Sequence, residues 1–125
     1  MTKSILLAED DKFLRRAAET KLKQAGFDVR VAVDGDEALA QAREQPPDLM
    51  LLDLLMPKRD GLSVLKALKA DAATAAIRIV IISNSSKDLE MQNASDLGAV
   101  DYWIKSNLSL QELCDRVQRL LGEDS

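Results

Sequence analysis

Short apolar segments alternate with amphipathic segments along the whole chain. Five of the apolar segments have the length and composition of β-strands, and the third and fourth are apolar at nearly every position. Such unbroken runs are typical of strands that are buried on both faces of a sheet. The predicted strands are Ser4 to Ala8, Phe27 to Val33, Asp48 to Asp53, Ile77 to Ser83 and Val100 to Ile104.

The segments that follow the strands have apolar residues at helical spacing, which predicts one helix after each strand. The first runs from Lys12 to Ala25, with Leu14, Ala18, Leu22 and Ala25 on its apolar face and Gly26 as its stop. The second and third open at Asp34-Gly35-Asp36 and at Asp60-Gly61. The fourth, from Lys87 to Leu97, has the weakest apolar face. The apolar stripe of the last helix is Leu110, Leu113, Cys114, Val117, Leu120 and Leu121.

This alternation predicts an α/β fold, a doubly wound five-stranded parallel sheet with helices on both faces. Right-handed crossovers favour the flavodoxin-like strand order 2-1-3-4-5. The one-sided apolar pattern of the second strand fits an edge position. Because 125 residues is close to the commonest size of one domain, we expect a single domain over residues 1–125 with no effector domain.

Composition removes several classes of function. Histidine is absent, which removes His-based zinc sites and both Ser-His-Asp and Cys-His catalysis. The net charge of −4 argues against direct nucleic-acid binding. Cys114 cannot form an internal disulfide, and the sequence has no signal-peptide pattern and no bilayer-spanning run. We expect a cytoplasmic protein without membrane contact, whose chemistry uses carboxylates, hydroxyls and lysine.

Polar side chains are concentrated where the predicted strands end. The first strand ends in Glu9-Asp10-Asp11, the third in Asp53, the fourth in Ser83 and the fifth in Lys105. In doubly wound sheets, ligands bind at the carboxyl ends of the strands. An unpaired, ionised carboxylate within an apolar strand is costly, so Asp53 is expected to be paired, metal-bound or neutral. These strand ends therefore predict a binding site.

The donor types indicate a metal and a phosphoryl group. Clustered carboxylates favour a hard cation, and Mg²⁺ typically takes one or two carboxylates, several waters and a phosphate oxygen. A phosphoryl group also accounts for Ser83 and Lys105, since a hydroxyl and an ammonium opposite a metal can hold its oxygens. Neither glycine-rich nucleotide motif occurs. We therefore interpret Asp53 as a nucleophile that forms an aspartyl phosphate.

Over essentially its whole length the chain resembles a two-component response-regulator receiver domain, of the stand-alone kind that is typical of chemotaxis regulators. The order and shared edge of the matching segments make this resemblance specific. These segments are Leu7 to Asp11, Leu51 to Pro57 with Asp60-Gly61, Ile81 to Ser83, and Gly98 to Lys105.

The resemblance implies that Asp53 accepts a phosphoryl group from a sensor histidine kinase or phosphotransfer protein. It implies Mg²⁺ held by Asp10, Asp53 and the backbone carbonyl of Leu55, with Glu9 acting through a metal-bound water. The protein would then be a signalling phosphoacceptor, which catalyses only its own phosphorylation and dephosphorylation and is not otherwise an enzyme.

The same resemblance assigns the remaining site residues and the output. Ser83 and Lys105 would bind the phosphoryl oxygens, and Tyr102 would be the aromatic switch residue. Phosphorylation would change a surface that binds a downstream protein target.

Two other functions stay open. A phosphohydrolase with an aspartyl-phosphate intermediate of the haloacid-dehalogenase type needs a second Asp two residues after the nucleophile, where this chain has Leu55. A pseudo-receiver that docks a partner without phosphate is disfavoured by the intact set of Asp10, Asp53, Ser83 and Lys105.

Some individual residues have simpler structural interpretations. Asp11 is expected to be a helix N-cap, and Glu9 is either a solvated charge or a residue of the metal site. The arginines at four helix positions are expected to be solvated: Arg15, Arg16, Arg116 and Arg119.

Asn84 and Ser106 depart from the family pattern. Ser106 replaces the usual proline after a cis peptide, and a cis bond before a non-proline residue costs about 2.5–4 kcal/mol, which leaves this bond's geometry open.

Overall fold

Five parallel strands alternate with five α-helices in the computed structural model, which describes residues 2–121. The strands are β1 (Ser4–Ala8), β2 (Asp28–Ala32), β3 (Leu49–Asp53), β4 (Arg78–Ser83) and β5 (Asp101–Ile104). The helices are α1 (Lys12–Gln24), α2 (Gly35–Glu44), α3 (Gly61–Lys69), α4 (Asp88–Asp96) and α5 (Leu110–Leu121), and a 3₁₀ turn (Lys105–Asn107) follows β5. The sheet order is β2-β1-β3-β4-β5, so the predicted topology and the edge position of β2 are confirmed.

The core has two layers, one on each face of the sheet. Alternate residues of β1, β3 and β4 point to opposite faces, as the two-residue period of a strand requires. On one face Leu6, Met50 and Ile79 pack with α2, α3 and Ala94 of α4. On the other face Ile5 and Leu49 pack with α1 and α5. This double burial accounts for the unbroken apolar runs of the central strands.

Three helices begin at an aspartate that caps the first turn. Asp11 accepts hydrogen bonds from the backbone N–H groups of Phe13 and Leu14, which confirms the predicted cap of α1. Asp34 caps α2 and Asp60 caps α3 in the same way. Each cap follows the carboxyl end of a strand by a few residues, so it fixes the loops on the edge where the predicted site lies.

Several apolar residues at the ends of elements are less buried than their spacing predicts. Ala25, placed on the buried face of α1, is exposed because it lies at the C-cap, where the chain turns away through Gly26. Val33 and Val100 lie just outside β2 and β5 and are also exposed. In α5 the first residue, Leu110, is exposed and Leu120 is half-buried, so the core face is narrower than the predicted stripe.

Two further predictions concern the membrane environment of the chain and the extent of its domain. No helix within residues 2–121 is long and apolar enough to cross a bilayer. The predicted domain of 1–125 includes residues 1 and 122–125, which lie outside the described residues. Its single-domain organisation therefore stays a prediction.

Candidate functional site

Asp53 is the last residue of β3 and lies at the carboxyl edge of the sheet, where it is 4% exposed. The start of α3 packs directly against this strand end. A Cβ on Gly61 would lie 2.3 Å from the carbonyl oxygen of Asp53, so this close approach requires glycine. The backbone N–H of Leu55 donates a hydrogen bond to Asp53 Oδ1 at 3.3 Å. The packing thus fixes the carboxylate in a nearly buried position.

One ammonium group joins two of the carboxylates. Lys105 Nζ lies 2.9 Å from Asp53 Oδ2 and 2.6 Å from Glu9 Oε1. Burial lowers the pKa of Lys105, but the hydrogen bonds and charges of Glu9 and Asp53 outweigh burial, so that its pKa is raised. Lys105 therefore remains a cation at the centre of the site.

Glu9 is buried, so its interpretation as a solvated charge is wrong. Burial raises the pKa of Glu9, and the hydrogen bond and negative charge of Asp53 raise it further. The Lys105 ammonium and the backbone N–H of Asp11 oppose that rise. A carboxylate in such a position is costly unless a cation offsets its charge.

The three carboxylates form a cluster suited to a hard cation. Glu9, Asp10 and Asp53 each offer an oxygen atom, and these atoms lie within 4.8 Å of one another. Asp10 is exposed, whereas the other two are buried. Three carboxylates around the single ammonium of Lys105 leave an excess of negative charge. An all-oxygen donor set with that excess fits Mg²⁺.

Within residues 2–121, the side chains of Ser83 and Tyr102 form hydrogen bonds with the loop after β4 and not with the carboxylates. Ser83 ends β4 and is buried, and its Oγ accepts a hydrogen bond from the backbone N–H of Ser85 at 3.0 Å. The Tyr102 hydroxyl donates to the carbonyl oxygen of Ser85 at 2.9 Å. The structure thus brings together Glu9, Asp10, Asp53 and Lys105, and it connects Ser83 with Tyr102 through the loop between β4 and α4.

The two departures from the family pattern both lie in loops at this edge. Asn84 is exposed, next to the buried Ser83. Within residues 2–121 there is no cis peptide bond, so the bond between Lys105 and Ser106 is trans. Lys105 nevertheless reaches both buried carboxylates.

Arg15 is a residue of this region that the sequence did not indicate. Its guanidinium donates to the backbone carbonyls of Glu9 at 3.0 Å and of Asp10 at 3.3 Å, and the side chain is half-buried rather than solvated. Helical side chains point back toward the helix N-terminus. An arginine in the first turn of α1 can therefore reach the end of β1. The position of Arg15 in that turn is the sequence feature that could have predicted this contact.

The other three arginines that were predicted to be solvated differ in their exposure. Arg116 lies over the ring of the buried Trp103, 5.6 Å from its centroid, so its interpretation as solvated is also wrong. Arg16 and Arg119 are exposed, as expected.

The response regulator receiver domain family matches residues 5–118 of this chain, and the chain belongs to that family. It is 36% identical over 117 residues to the DNA-binding dual master transcriptional regulator RpaA of Synechocystis, which covers 94% of this chain and 48% of RpaA. This chain therefore spans about half the length of the curated relatives it matches.

Solved structures show the same fold. The chemotaxis protein CheY4 of Vibrio cholerae superposes with a TM-score of 0.88 at 26% identity, covering 97% of this chain and all of CheY4. The phosphorylated cyanobacterial phytochrome response regulator RcpA superposes with a TM-score of 0.87 at 30% identity, covering 100% of this chain and 97% of RcpA. The α/β fold and the receiver resemblance predicted from the sequence are confirmed.

Proposed function

We propose that this receiver domain accepts a phosphoryl group on Asp53 from a sensor histidine kinase or phosphotransfer protein and thereby switches a protein-binding surface. The observation that carries the proposal is the nearly buried Asp53 carboxylate, held by Lys105 at 2.9 Å and clustered with Glu9 and Asp10. The phosphorylated state named for RcpA is a property of that relative and supports the proposal by similarity.

In this proposal the transfer forms a bond between an Asp53 carboxylate oxygen and phosphorus, and it breaks the bond between phosphorus and the donor's nitrogen. The Lys105 ammonium neutralises charge on the phosphoryl oxygens as they arrive. Ser83 donates its hydroxyl hydrogen to another of those oxygens, which requires a movement of the loop after β4. The side chains mainly position the group and balance its charge.

Mg²⁺ is the proposed cofactor. Asp10 and Asp53 would hold it together with the backbone carbonyl of Leu55, and Glu9 would act through a water molecule. When bound, the cation would neutralise charge on the transferred group. The fit rests on the three clustered carboxylate oxygens.

Tyr102 is the proposed switch residue, because its hydroxyl is already bonded to the loop that Ser83 begins. The downstream target is a protein, with no direct nucleic-acid or membrane contact in the proposal. A cytoplasmic location and a stand-alone domain over residues 1–125 stay predictions from the sequence.

The test is labelling with acetyl phosphate in the presence of Mg²⁺, followed by intact mass measurement. We expect one phosphoryl adduct that is labile in alkali and absent from Asp53→Ala. The matched control is Asp28→Ala, which removes an exposed carboxylate at the opposite end of the sheet and is expected to label normally.

Each other outcome points to a different function. A normal single adduct on Asp53→Ala would refute the nucleophile assignment. If the wild-type protein takes no label, the pseudo-receiver function gains support. Repeated turnover that releases phosphate in large excess over the protein would instead support the phosphohydrolase.

A further inference from the structure

Helix α4 begins without a side-chain cap. Lys87 occupies its N-cap position and makes no side-chain hydrogen bond to the first turn. Helices α1, α2 and α3 are each capped by an aspartate. All nine residues of α4 lie within the described chain, and Ala94 is its one buried residue. Neither a cap nor a broad apolar face therefore fixes the start of this helix.

The hydroxyl of Ser85 bridges the N-cap residue of α4 and the third residue of the helix. Ser85 Oγ donates to Glu90 Oε1 at 2.7 Å and accepts from the backbone N–H of Lys87 at 3.3 Å. Glu90 is the third residue of α4. A hydrogen bond to a carboxylate is stronger than one between neutral groups. Ser85 thus joins the loop after β4 to the first turn of α4.

The backbone of the same residue bonds in two other directions. The Ser85 N–H donates to Ser83 Oγ at 3.0 Å, and the Ser85 carbonyl accepts from the Tyr102 hydroxyl at 2.9 Å. One residue is therefore connected to the end of β4, to β5 and to α4. Its side chain alone makes the connection to α4.

We propose that Ser85 is a positioning residue for α4: its hydroxyl, bonded to Glu90 in the first turn, ties the uncapped start of α4 to the loop that carries Ser83. A movement of Ser83 then reaches α4 through the Ser85 side chain and reaches Tyr102 through the Ser85 backbone. This coupling rests on the proposed function, whereas the support of the resting helix does not. Ser85→Ala removes the first route and leaves both backbone hydrogen bonds in place.

The experiment measures amide hydrogen exchange across residues 91–96 of α4, first in the resting protein. Loss of one hydrogen bond typically costs about 0.5–1.5 kcal/mol, so Ser85→Ala is expected to speed exchange roughly twofold to thirteenfold. Ser85→Thr keeps the hydroxyl and is expected to restore slow exchange. The matched control is Ser86→Ala, because Ser86 is exposed and its hydroxyl has no hydrogen-bond partner within residues 2–121.

The partner residue gives a second, independent set of variants. Glu90→Gln keeps an acceptor for the Ser85 hydroxyl and is expected to retain part of the protection. Glu90→Ala is expected to lose most of the protection that Ser85→Ala loses, because both remove the Ser85–Glu90 hydrogen bond. Ser85→Ala also loses the 3.3 Å bond from the Lys87 N–H, so the double variant should be no worse than Ser85→Ala alone. If Ser85→Ala exchanges no faster than Ser86→Ala, or if the two losses simply add, the proposal is wrong.

A second measurement adds Mg²⁺ and beryllofluoride, a phosphoryl mimic. In Ser85→Ala we expect the mimic to change exchange around Tyr102 as in the wild type but to have at least threefold less effect on α4. An equal response of α4 in both proteins would overturn the coupling. Failure of the proposed function looks different, because the mimic would then change nothing in the wild type while the resting effect of Ser85→Ala remained.

Discussion

Lys105 is the residue through which the charges of the site are balanced. Its ammonium lies between Glu9 and Asp53, and Asp10 adds a third carboxylate nearby. Three formal negative charges and one positive charge leave an excess of two, which equals the charge of one Mg²⁺. A phosphoryl group on Asp53 would add negative charge again, so a bound metal and the phosphoryl group would favour each other's presence. The site is therefore expected to be most stable with both bound.

Asp10→Ala is expected to weaken Mg²⁺ binding by about tenfold or more. Removal of a residue that only supports a metal ligand typically costs about tenfold or more in affinity, and loss of a ligand should cost at least as much. Asp10 is exposed, and its side chain accepts no hydrogen bond in the described part of the chain. Its loss also relieves repulsion within the carboxylate cluster, so the unfolding free energy should not fall.

Calorimetric titration with Mg²⁺ checks this expectation, with Asp11→Asn as the neighbouring control. Asn keeps the cap of α1 and should leave Mg²⁺ affinity unchanged. Equal affinities of wild type and Asp10→Ala would remove Asp10 from the metal site.

Leu55 is expected to lengthen the lifetime of the phosphorylated state. Its side chain is 71% exposed, two residues after Asp53, and it has no polar atom to orient an attacking water. Leu55→Asn should speed dephosphorylation by about tenfold by positioning that water, without changing the labelled residue. Decay of the mass adduct after removal of the donor measures the effect. The control is Leu89→Asn, which changes an equally exposed leucine on α4. Decay in Leu55→Asn that is equal to or slower than decay in the wild type would argue against this account.

At the scale of elements, the sequence predicts the buried strands and the starts of helices, because these depend on composition and on the spacing of apolar residues. The buried strands β3 and β4 follow from unbroken apolar runs, and the Asp-Gly pairs mark the starts of α2 and α3. The strand ends then place Asp53, Ser83 and Lys105 at one edge, because all strands are parallel.

The sequence does not predict which polar side chains bond to the loops and to the first turns of the helices. Arg15 donates to a backbone carbonyl at the end of β1 and Ser85 donates to the Glu90 side chain. The position of Arg15 in α1 allows its contact, but the path of the loop in the assembled fold decides whether either bond forms. In β2, Val29 and Val31 pack on the same face, as their alternation predicts, but the one-sided pattern does not predict that Ala32 is buried on the opposite face, against α2. Contacts of neighbouring helices decide such details.

The cap of α2 predicts how stability depends on pH. The backbone N–H of Glu37, aided by the charge of Lys58, holds the pKa of Asp34 below its ordinary value of 3.8. Because the folded-state pKa is lowered, this cap stabilises the fold above the ordinary value. The contribution is lost as the pH falls through the folded-state pKa.

The measurement is urea unfolding of wild type and Asp34→Asn from about pH 6 to about pH 2.5. Asn caps helices well but does not titrate in this range. The free energy of unfolding of the wild type should exceed that of Asp34→Asn by less and less as the pH falls. A difference that stays constant with pH would mean that the Asp34 charge does not contribute to stability.

At the scale of the whole molecule, the helices are packed against the sheet to different extents. Helix α5 buries four residues, whereas α4 buries Ala94 and exposes Leu89. Regions with few buried contacts open and shift most readily. This weakly packed region adjoins the proposed phosphorylation site through the loop of Ser83 and Ser85, so a small change at Asp53 would have a nearby element that can respond.

Ser83→Ala is therefore expected to separate phosphorylation from its effect on the molecule. Labelling of Asp53 should persist, because Lys105 and the metal site remain. The Ser83 hydroxyl no longer draws the loop toward the phosphoryl oxygens, so both Tyr102 and α4 should lose their response. This differs from Ser85→Ala, in which the Tyr102 response is retained.

Hydrogen exchange across residues 86–105, with and without Mg²⁺ and beryllofluoride, measures that response in wild type, Ser83→Ala and Ser83→Thr. Thr keeps the hydroxyl and should behave as the wild type, which separates loss of the hydrogen bond from a general disturbance of β4. The mimic should alter protection at least threefold less in Ser83→Ala, since a two-state element shifts only as far as the two states differ in interaction energy. If the mimic changes protection equally in all three proteins, the signal leaves Asp53 by a route that does not include Ser83.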